Sequence, residues 1–91
     1  MKYFEWNEDK NDKLKKERNI SFEIVVGQIE LGFLLDKIDH SNKEKYENQS
    51  IFVVEFEKYA YLVPFVEDDE RVFLKTIIPS RKATRKYLEG K

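Results

Sequence analysis

Alternating apolar and polar residues in the second half of the chain predict three strands in close succession. The first is Ile51 to Glu57, in which one face is formed by Phe52, Val54 and Phe56. A tight connection leads to Tyr59 to Val66, and an acidic turn leads on to Arg71 to Ile78. Connections this short are typical of an antiparallel meander. Pro64 has no N–H for a ladder bond, so it predicts an edge position, a bulge or a strand end.

The first half of the chain predicts a short strand, a helical hairpin and a further strand. Tyr3 to Trp6 and Phe33 to Ile38 are the strands. Between them, Lys10 to Arg18 is a mostly polar helix, and Phe22 to Leu31 is an amphipathic one with an apolar core face. Strand, two helices, four strands and helix together predict an α+β domain over residues 1–91, with the helices packed on one sheet.

The last helix, Arg81 to Glu89, is strongly basic. At about 100° per residue, its cations fall on one arc and its less polar residues on the opposite arc. The cations are Arg81, Lys82, Arg85 and Lys86; the opposite arc holds Ala83, Thr84, Tyr87 and Leu88. The helix therefore has a docking face and a cationic face. Gly90 is a plausible stop, and side chains suited to N-capping precede the three helices at Asn7, Ser21 and Ser80.

Charge is segregated along the chain. Residues 71–91 carry seven Lys/Arg and one acid, a net of +6, whereas residues 21–70 carry four bases and twelve acids, a net of −8. A basic end on a chain whose total charge is −1 indicates an anionic partner for that end. The competing interpretation is a solvated helix face, because exposed Lys/Arg faces are common.

Composition narrows the class of protein. The chain has no cysteine, which excludes disulfides and thiolate zinc sites, and its single histidine, His40, has no partner for a transition-metal cluster. The acids at 67–70 suit a hairpin tip better than a divalent-cation site. We therefore expect neither a metal nor a cofactor. Without a long apolar run or a secretory signal, the sequence predicts a cytoplasmic protein that does not bind membranes.

Three blocks of sequence resemble the BrnT family of type II toxins, in family order and over nearly the whole chain. They are Phe4-Glu5-Trp6-Asn7-Glu8-Asp9-Lys10-Asn11, Ile20-Ser21-Phe22-Glu23 and Ile77-Ile78-Pro79-Ser80-Arg81-Lys82-Ala83-Thr84. The resemblance implies a RelE-like ribonuclease fold and cleavage of RNA that arrests translation. It also implies a cognate antitoxin, commonly of ribbon-helix-helix type. Two positions depart from the family: Arg18 lies where Lys-His-Gly is usual, and Thr76 where Arg is frequent.

The chemistry of such a site can be stated from the residues. RNA is cut without a metal when its 2′-hydroxyl attacks the adjacent phosphate, and the protein supplies a base, an acid and cations. Arg81 and Arg85, one turn apart, suit the phosphate because a guanidinium grips two oxygens. Lys75 is a further phosphate ligand or the acid. The remaining candidate phosphate-binding residues are Lys82, Lys86 and, carried over from the first block, Lys10. No residue stands out as the general base.

Two other functions remain open from the sequence. In one, the basic helix of a non-catalytic module binds nucleic acid or an acidic protein partner. In the other, the chain is an interaction protein whose interface is the side of the second helix that carries Ile24 and Leu31.

Overall fold

The computed structural model describes residues 2–39 and 49–89, which form an α+β fold. Its strands are β1 (Tyr3–Trp6), β2 (Leu34–Asp39), β3 (Gln49–Phe56), β4 (Tyr59–Glu67), β5 (Arg71–Leu74) and β6 (Ile78–Pro79). Its helices are α1 (Glu8–Arg18), α2 (Phe22–Glu30) and α3 (Arg81–Thr84), which continues as a π-helix over Arg85–Glu89. We call residues 81–89 together the C-terminal helix. His40 and Gly90, for which a loop and a helix stop are predicted, lie outside the described residues.

The sheet is mixed, so the prediction of a purely antiparallel meander is wrong at one edge. The strand order is β1-β5-β4-β3-β2, and β6 also pairs with β4. The run from β3 to β5 is antiparallel as predicted, and β2 adds to β3 in antiparallel as well. By contrast, β1 pairs with β5 in parallel, with Trp6 opposite Leu74. The α1–α2 hairpin connects β1 at one edge to β2 at the other. No turn signal marks such a long-range pairing, because parallel neighbours are joined by a crossover and not by a tight turn.

Both faces of the sheet are covered by helices. Successive residues of a strand point to opposite faces. Accordingly, Val63 and Phe65 of β4 pack with the α1–α2 hairpin, and Ala60 packs with the C-terminal helix. We call these the hairpin face and the C-terminal face. The hairpin face holds the larger core, formed by Leu14, Ile20, Phe22, Val25, Phe52, Val54, Val63, Phe65, Val72, Leu74 and Ile77.

The three predicted N-caps are confirmed. Asn7 Oδ1 accepts from the Lys10 backbone N–H at 2.9 Å, and the Ser21 and Ser80 hydroxyls accept from the third residue of α2 and α3. Each cap takes up one of the free N–H groups of a first helical turn. The helix starts were therefore readable from local sequence.

A bulge interrupts the predicted strand over Arg71 to Ile78. Leu74 pairs with Phe65 and Ile78 pairs with Leu62, so three residues of one chain segment lie opposite two of β4. The Lys75 N–H donates to Pro64 O at 2.8 Å. The N and O of a residue in an antiparallel ladder point to the same neighbour, so the Pro64 ring nitrogen faces this bulge. Of the three alternatives for Pro64, the bulge is the one observed.

Candidate nucleic-acid interface

The start of the C-terminal helix is anchored to β4 by two hydrogen bonds, and a third bond within the helix start links them. Ser80 N donates to Ala60 O at 3.0 Å, and Ala60 N donates to Thr84 Oγ1 at 2.9 Å. The Thr84 hydroxyl in turn donates to Ser80 O at 2.7 Å. Ala60 and Thr84 are buried. The chain of bonds therefore fixes how the helix lies on the sheet.

The predicted division of the C-terminal helix into two faces is confirmed. Ala83 and Thr84 are buried against the sheet, and Tyr87 and Leu88 are half-buried beside them. The four cations, Arg81, Lys82, Arg85 and Lys86, are exposed. Within residues 2–39 and 49–89, none of the four forms an ion pair, whereas pairs hold Lys2, Lys15, Lys37 and Arg71. The basic face thus has no ion pairs among the described residues, although Lys86 is close enough to Asp36 for its charge to lower the pKa of that carboxyl.

A groove with a volume of about 260 Å³ lies between this helix and the sheet. Its floor and walls are largely apolar and are formed by Ile38, Val53, Leu62 and Ala83, with Tyr87 beside them. Ser80, Lys82 and Lys86 supply its polar lining. The arrangement combines an apolar bed with two ammonium groups, which is the combination that a flat, phosphorylated ligand requires.

Asp36 and Tyr87 link the helix to β2 beside the groove. The Tyr87 hydroxyl donates to Asp36 Oδ2 at 2.6 Å, and the Lys37 backbone N–H donates to Asp36 Oδ1 at 2.8 Å. These bonds, together with the charge of Lys86, lower the pKa of Asp36. The hydrogen bond with Asp36 is the main cause of a raised pKa for Tyr87, and partial desolvation of the hydroxyl raises it further. Asp36 is therefore ionised and Tyr87 protonated at neutral pH.

Lys75 is on the same face of the sheet as the C-terminal helix, but it is not next to the helix start. It lies opposite Pro64, which shares the orientation of Ala60 on β4. Pro64 is four residue steps along the strand from Ala60, a distance of about 13–14 Å. The structure thus places Lys75 at the bulge, with its backbone well removed from the anchor of the helix.

Lys10 is on the other side of the sheet. It belongs to the first turn of α1, whose buried Leu14 packs into the core of the hairpin face. The C-terminal helix covers the opposite face. Lys10 and the four helix cations therefore do not share a surface, and the cations of α1 do not extend the basic face by lying beside that helix.

Arg18, at one of the two departures from the BrnT pattern, bonds to the residue that follows the other, Thr76. Arg18 Nη1 donates to the carbonyl oxygen of Ile77 at 2.8 Å, and Ile77 directly follows Thr76 in the bulge. The guanidinium thereby bonds to a carbonyl of the segment between β5 and β6, which belongs to neither strand. In this chain Arg18 has a structural hydrogen-bonding role that joins the end of α1 to the bulge.

Asp36 is the residue of this region that sequence reasoning missed. It sits in the predicted strand Phe33 to Ile38, two residues before Ile38 and so on the same face. The alternation of strand residues is enough to predict the face on which Asp36 lies. The position of Asp36 beside the groove, however, depends on the pairing of β2 with β3 and on the position of Tyr87. Neither can be read from local sequence.

The other candidate sites are explained by local structure. In the acidic turn, Asp68 Oδ1 accepts the backbone N–H groups of Glu70 and Arg71, so it caps the turn. These bonds lower its pKa. On α2, Ile24 is half-buried against the core, whereas Leu31 is 72% exposed. The two residues do not form one exposed interface.

Among the described residues, no group of three or more His, Asp or Glu side chains is arranged to hold a metal ion. No helix of the described part of the chain is long and apolar enough to cross a membrane.

Comparison with known proteins identifies no relative of this chain. No family model matches the sequence, no curated protein is significantly similar to it, and no solved structure matches its fold.

Proposed function

We propose that this protein binds RNA through its C-terminal helix and acts as the toxin of a type II toxin–antitoxin pair. The observation that carries the proposal is the row of four exposed cations, without ion pairs among the described residues, beside an apolar groove. An arginine or lysine already paired with a carboxylate gains little from a phosphate, because the existing partner must first be displaced. Cations without such partners are available for counterion exchange with a nucleic acid backbone.

The single-stranded form of RNA suits this surface best. An apolar floor accepts an unstacked base, and flanking lysines contact the phosphates on either side. Arg81 and Arg85 add planar donors for phosphate oxygens. Resemblance to the BrnT family, with its RelE-like fold, points to the same class of ligand. It also points to a cognate antitoxin, for which ribbon-helix-helix is the type common in that family, as the protein partner.

For catalysis, we propose cleavage without a metal, by attack of the RNA 2′-hydroxyl on the neighbouring phosphate. Arg81 and Arg85 stabilise the negative charge that develops on the phosphate oxygens. Lys75 contacts the RNA farther along the same face, as a phosphate ligand or as the acid that protonates the leaving oxygen. Lys82 and Lys86 hold the strand. Lys10 lies on the opposite face of the sheet and therefore takes no part in the cleavage site. Its proposed role is a separate contact with RNA or with a protein.

A non-catalytic RNA-binding module is the second candidate, and one observation favours it. Asp36 is the carboxylate beside Lys86 and the groove, and hydrogen bonds with Tyr87 and the Lys37 backbone engage both of its oxygens. Its pKa is lowered, so it is a weak proton acceptor. An efficient general base has a pKa near the working pH, and Asp36 does not meet that requirement.

The two candidates are separated by induced expression of three proteins, with growth, total translation and transcript integrity as readouts. The proteins are the wild type, Arg81→Ala/Arg85→Ala, and the control Lys13→Ala/Lys16→Ala, which removes two exposed cations from α1 on the other face. All three must be soluble and show the same thermal unfolding.

We expect the wild type and the control to arrest translation and cut transcripts, and the arginine variant to do neither. If the wild type leaves growth and transcripts intact but binds RNA in vitro, the non-catalytic module is correct. If it binds no RNA either, the proposed function is wrong. Co-expression of a small DNA-binding protein encoded beside this chain tests for the antitoxin, which should restore growth.

A further inference from the structure

We propose that the groove beside the C-terminal helix is a base-reading subsite, in which Asp36 selects nucleotides whose base carries an exocyclic amino group. The inference rests on the proposed function, because it concerns which RNA the basic face prefers. It names a specificity-determining residue that neither the motifs nor the row of cations reveals.

The shape of the groove sets the orientation of the ligand. Ile38, Val53 and Leu62 come from three adjacent strands and form an apolar floor, and Ala83 of the helix adds to the wall. Lys82 and Lys86 line the groove from the helix side. A base on the floor therefore has its phosphate within reach of the two ammonium groups and one edge directed toward β2.

Asp36 stands at that β2 side. It pairs with Val53 in the sheet, and its neighbour on the same face, Ile38, also lines the groove. Its partner Tyr87 lines the groove as well and donates to Oδ2 at 2.6 Å. The carboxylate is therefore held at a fixed position beside the floor by a residue of the groove itself.

The hydrogen-bonding capacity of Asp36 is not exhausted. An ionised carboxylate has about four acceptor sites, and the Tyr87 hydroxyl and Lys37 N–H use two of them. Because its pKa is lowered, Asp36 stays an acceptor at neutral pH. An ionised carboxylate accepts an amino proton, as it does from the N4 amino group of cytosine, and it repels a carbonyl oxygen. Cytidine should thus be preferred over uridine, which differs from it at this edge in having an oxygen for the amino group.

The carboxylate of Asp36, beside the two lysines, favours a nucleotide over an acidic peptide as the occupant of the groove. A carboxylate of such a peptide on the groove floor would face Asp36, and like charges at short range are repelled. A base bearing an amino group satisfies the lysines through its phosphate and Asp36 through its edge. The two ammonium groups and the carboxylate are together complementary to one nucleotide.

The test measures binding of fluorescent single-stranded oligo(C) and oligo(U) of equal length by anisotropy. Both are 2′-O-methylated, which blocks the attacking hydroxyl and keeps cleavage out of the measurement. We expect oligo(C) to bind roughly fivefold more tightly, the factor that one net hydrogen bond of about 1 kcal/mol supplies.

Asp36→Asn should remove this preference, because the amide keeps nearly the same shape but replaces one acceptor oxygen with an NH2 donor. The side chain then accepts from an amino group or donates to a carbonyl oxygen. The matched control is Asp39→Asn on the same strand, whose carboxylate accepts from Ser50 Oγ and which should keep the full preference. Thermal unfolding confirms that each variant is folded. A second variant, Leu62→Ala, removes apolar contact area from the floor and should weaken both oligonucleotides without changing their ratio.

The possible outcomes separate the inference from the proposed function. Equal binding of oligo(C) and oligo(U) by the wild type, or an unchanged preference in Asp36→Asn, overturns the subsite while RNA binding stands. If neither oligonucleotide binds, both proposals fail. Competition by poly-glutamate at concentrations where oligo(C) binds would assign the groove to an acidic peptide and also overturn the inference.

Discussion

Asn11→Ala is expected to be the most damaging single change outside the apolar core. Asn11 is a fully buried residue of α1. The oxygen and the nitrogen of its side-chain amide both form hydrogen bonds with residues of α2. Its Oδ1 accepts from the Phe22 backbone N–H at 2.8 Å, and its Nδ2 donates to Glu23 Oε1 at 2.7 Å. One side chain thus satisfies the first turn of α2 and orients it against α1.

The magnitude follows from what the alanine leaves behind. The buried Phe22 N–H loses its acceptor, which costs about 1–3 kcal/mol. The bond to Glu23 contributes less than about 1 kcal/mol, because that carboxylate is half exposed and screened by solvent. Alanine returns roughly 0.5 kcal/mol through its better helix propensity. We therefore expect a net loss of about 2 kcal/mol, or a fall in Tm of roughly 8–16 °C for a domain of this size.

Urea unfolding followed by circular dichroism measures this loss. Lys13→Ala is the matched control, since it changes an exposed residue of the same helix and should shift stability by less than about 0.5 kcal/mol. Asn11→Asp keeps the acceptor for Phe22 N–H but places a buried carboxylate against Glu23, so at neutral pH it should be at least as destabilising as Asn11→Ala. If Asn11→Ala costs no more than Lys13→Ala, the hairpin is not held by this side chain and the reasoning is refuted.

Three further predictions concern the C-terminal helix and the surface charges. Thr84→Val leaves the buried Ala60 N–H without its acceptor and should cost about 1–3 kcal/mol in urea unfolding, whereas an unchanged midpoint would show that the anchor contributes nothing. If the four helix cations each contact one phosphate, log K for single-stranded RNA should fall with log[salt] at a slope of about −2.8, and Lys82→Ala/Lys86→Ala should halve that slope; an equal slope in both proteins would place the RNA elsewhere. Glu67 has a pKa lowered chiefly by its hydrogen bond with Lys2, so its ionised form stabilises the fold above its ordinary pKa, and this stabilisation is lost as pH falls through the lowered value. Glu67→Gln should therefore be less stable than the wild type at neutral pH and equally stable in strong acid, and a constant difference across pH would contradict this assignment.

The parts of the fold that local chemistry controls were predictable from residues close in sequence. The helix starts follow from Asn7, Ser21 and Ser80, whose side chains bond to N–H groups only three residues away. The division of the C-terminal helix into a buried and a cationic face follows from helical geometry, and it holds although its second half is a π-helix. Such features depend on spacing of a few residues and require no knowledge of the rest of the chain.

The candidate site was predictable only in part. The cations Arg81, Lys82, Arg85 and Lys86 could be named from the sequence, because exposure of a charged helix face is the ordinary outcome. The groove could not be predicted, since its floor joins Ile38, Val53 and Leu62 from three strands. Asp36 gains its place there only because β2 returns to the edge beside the C-terminal helix.

By itself, the sequence determined the helix and strand types, the meander from β3 to β5, the caps and the basic face, because periodicity and capping act over short distances. The tertiary structure alone decided that β1 adds in parallel beside β5, that Lys10 lies on the opposite face from the basic helix, and that Arg18 reaches the Ile77 carbonyl. These outcomes depend on contacts between residues far apart in the chain. The free energy that favours these contacts comes from covering both faces of one sheet with helices. No local sequence pattern specifies how the two faces are covered.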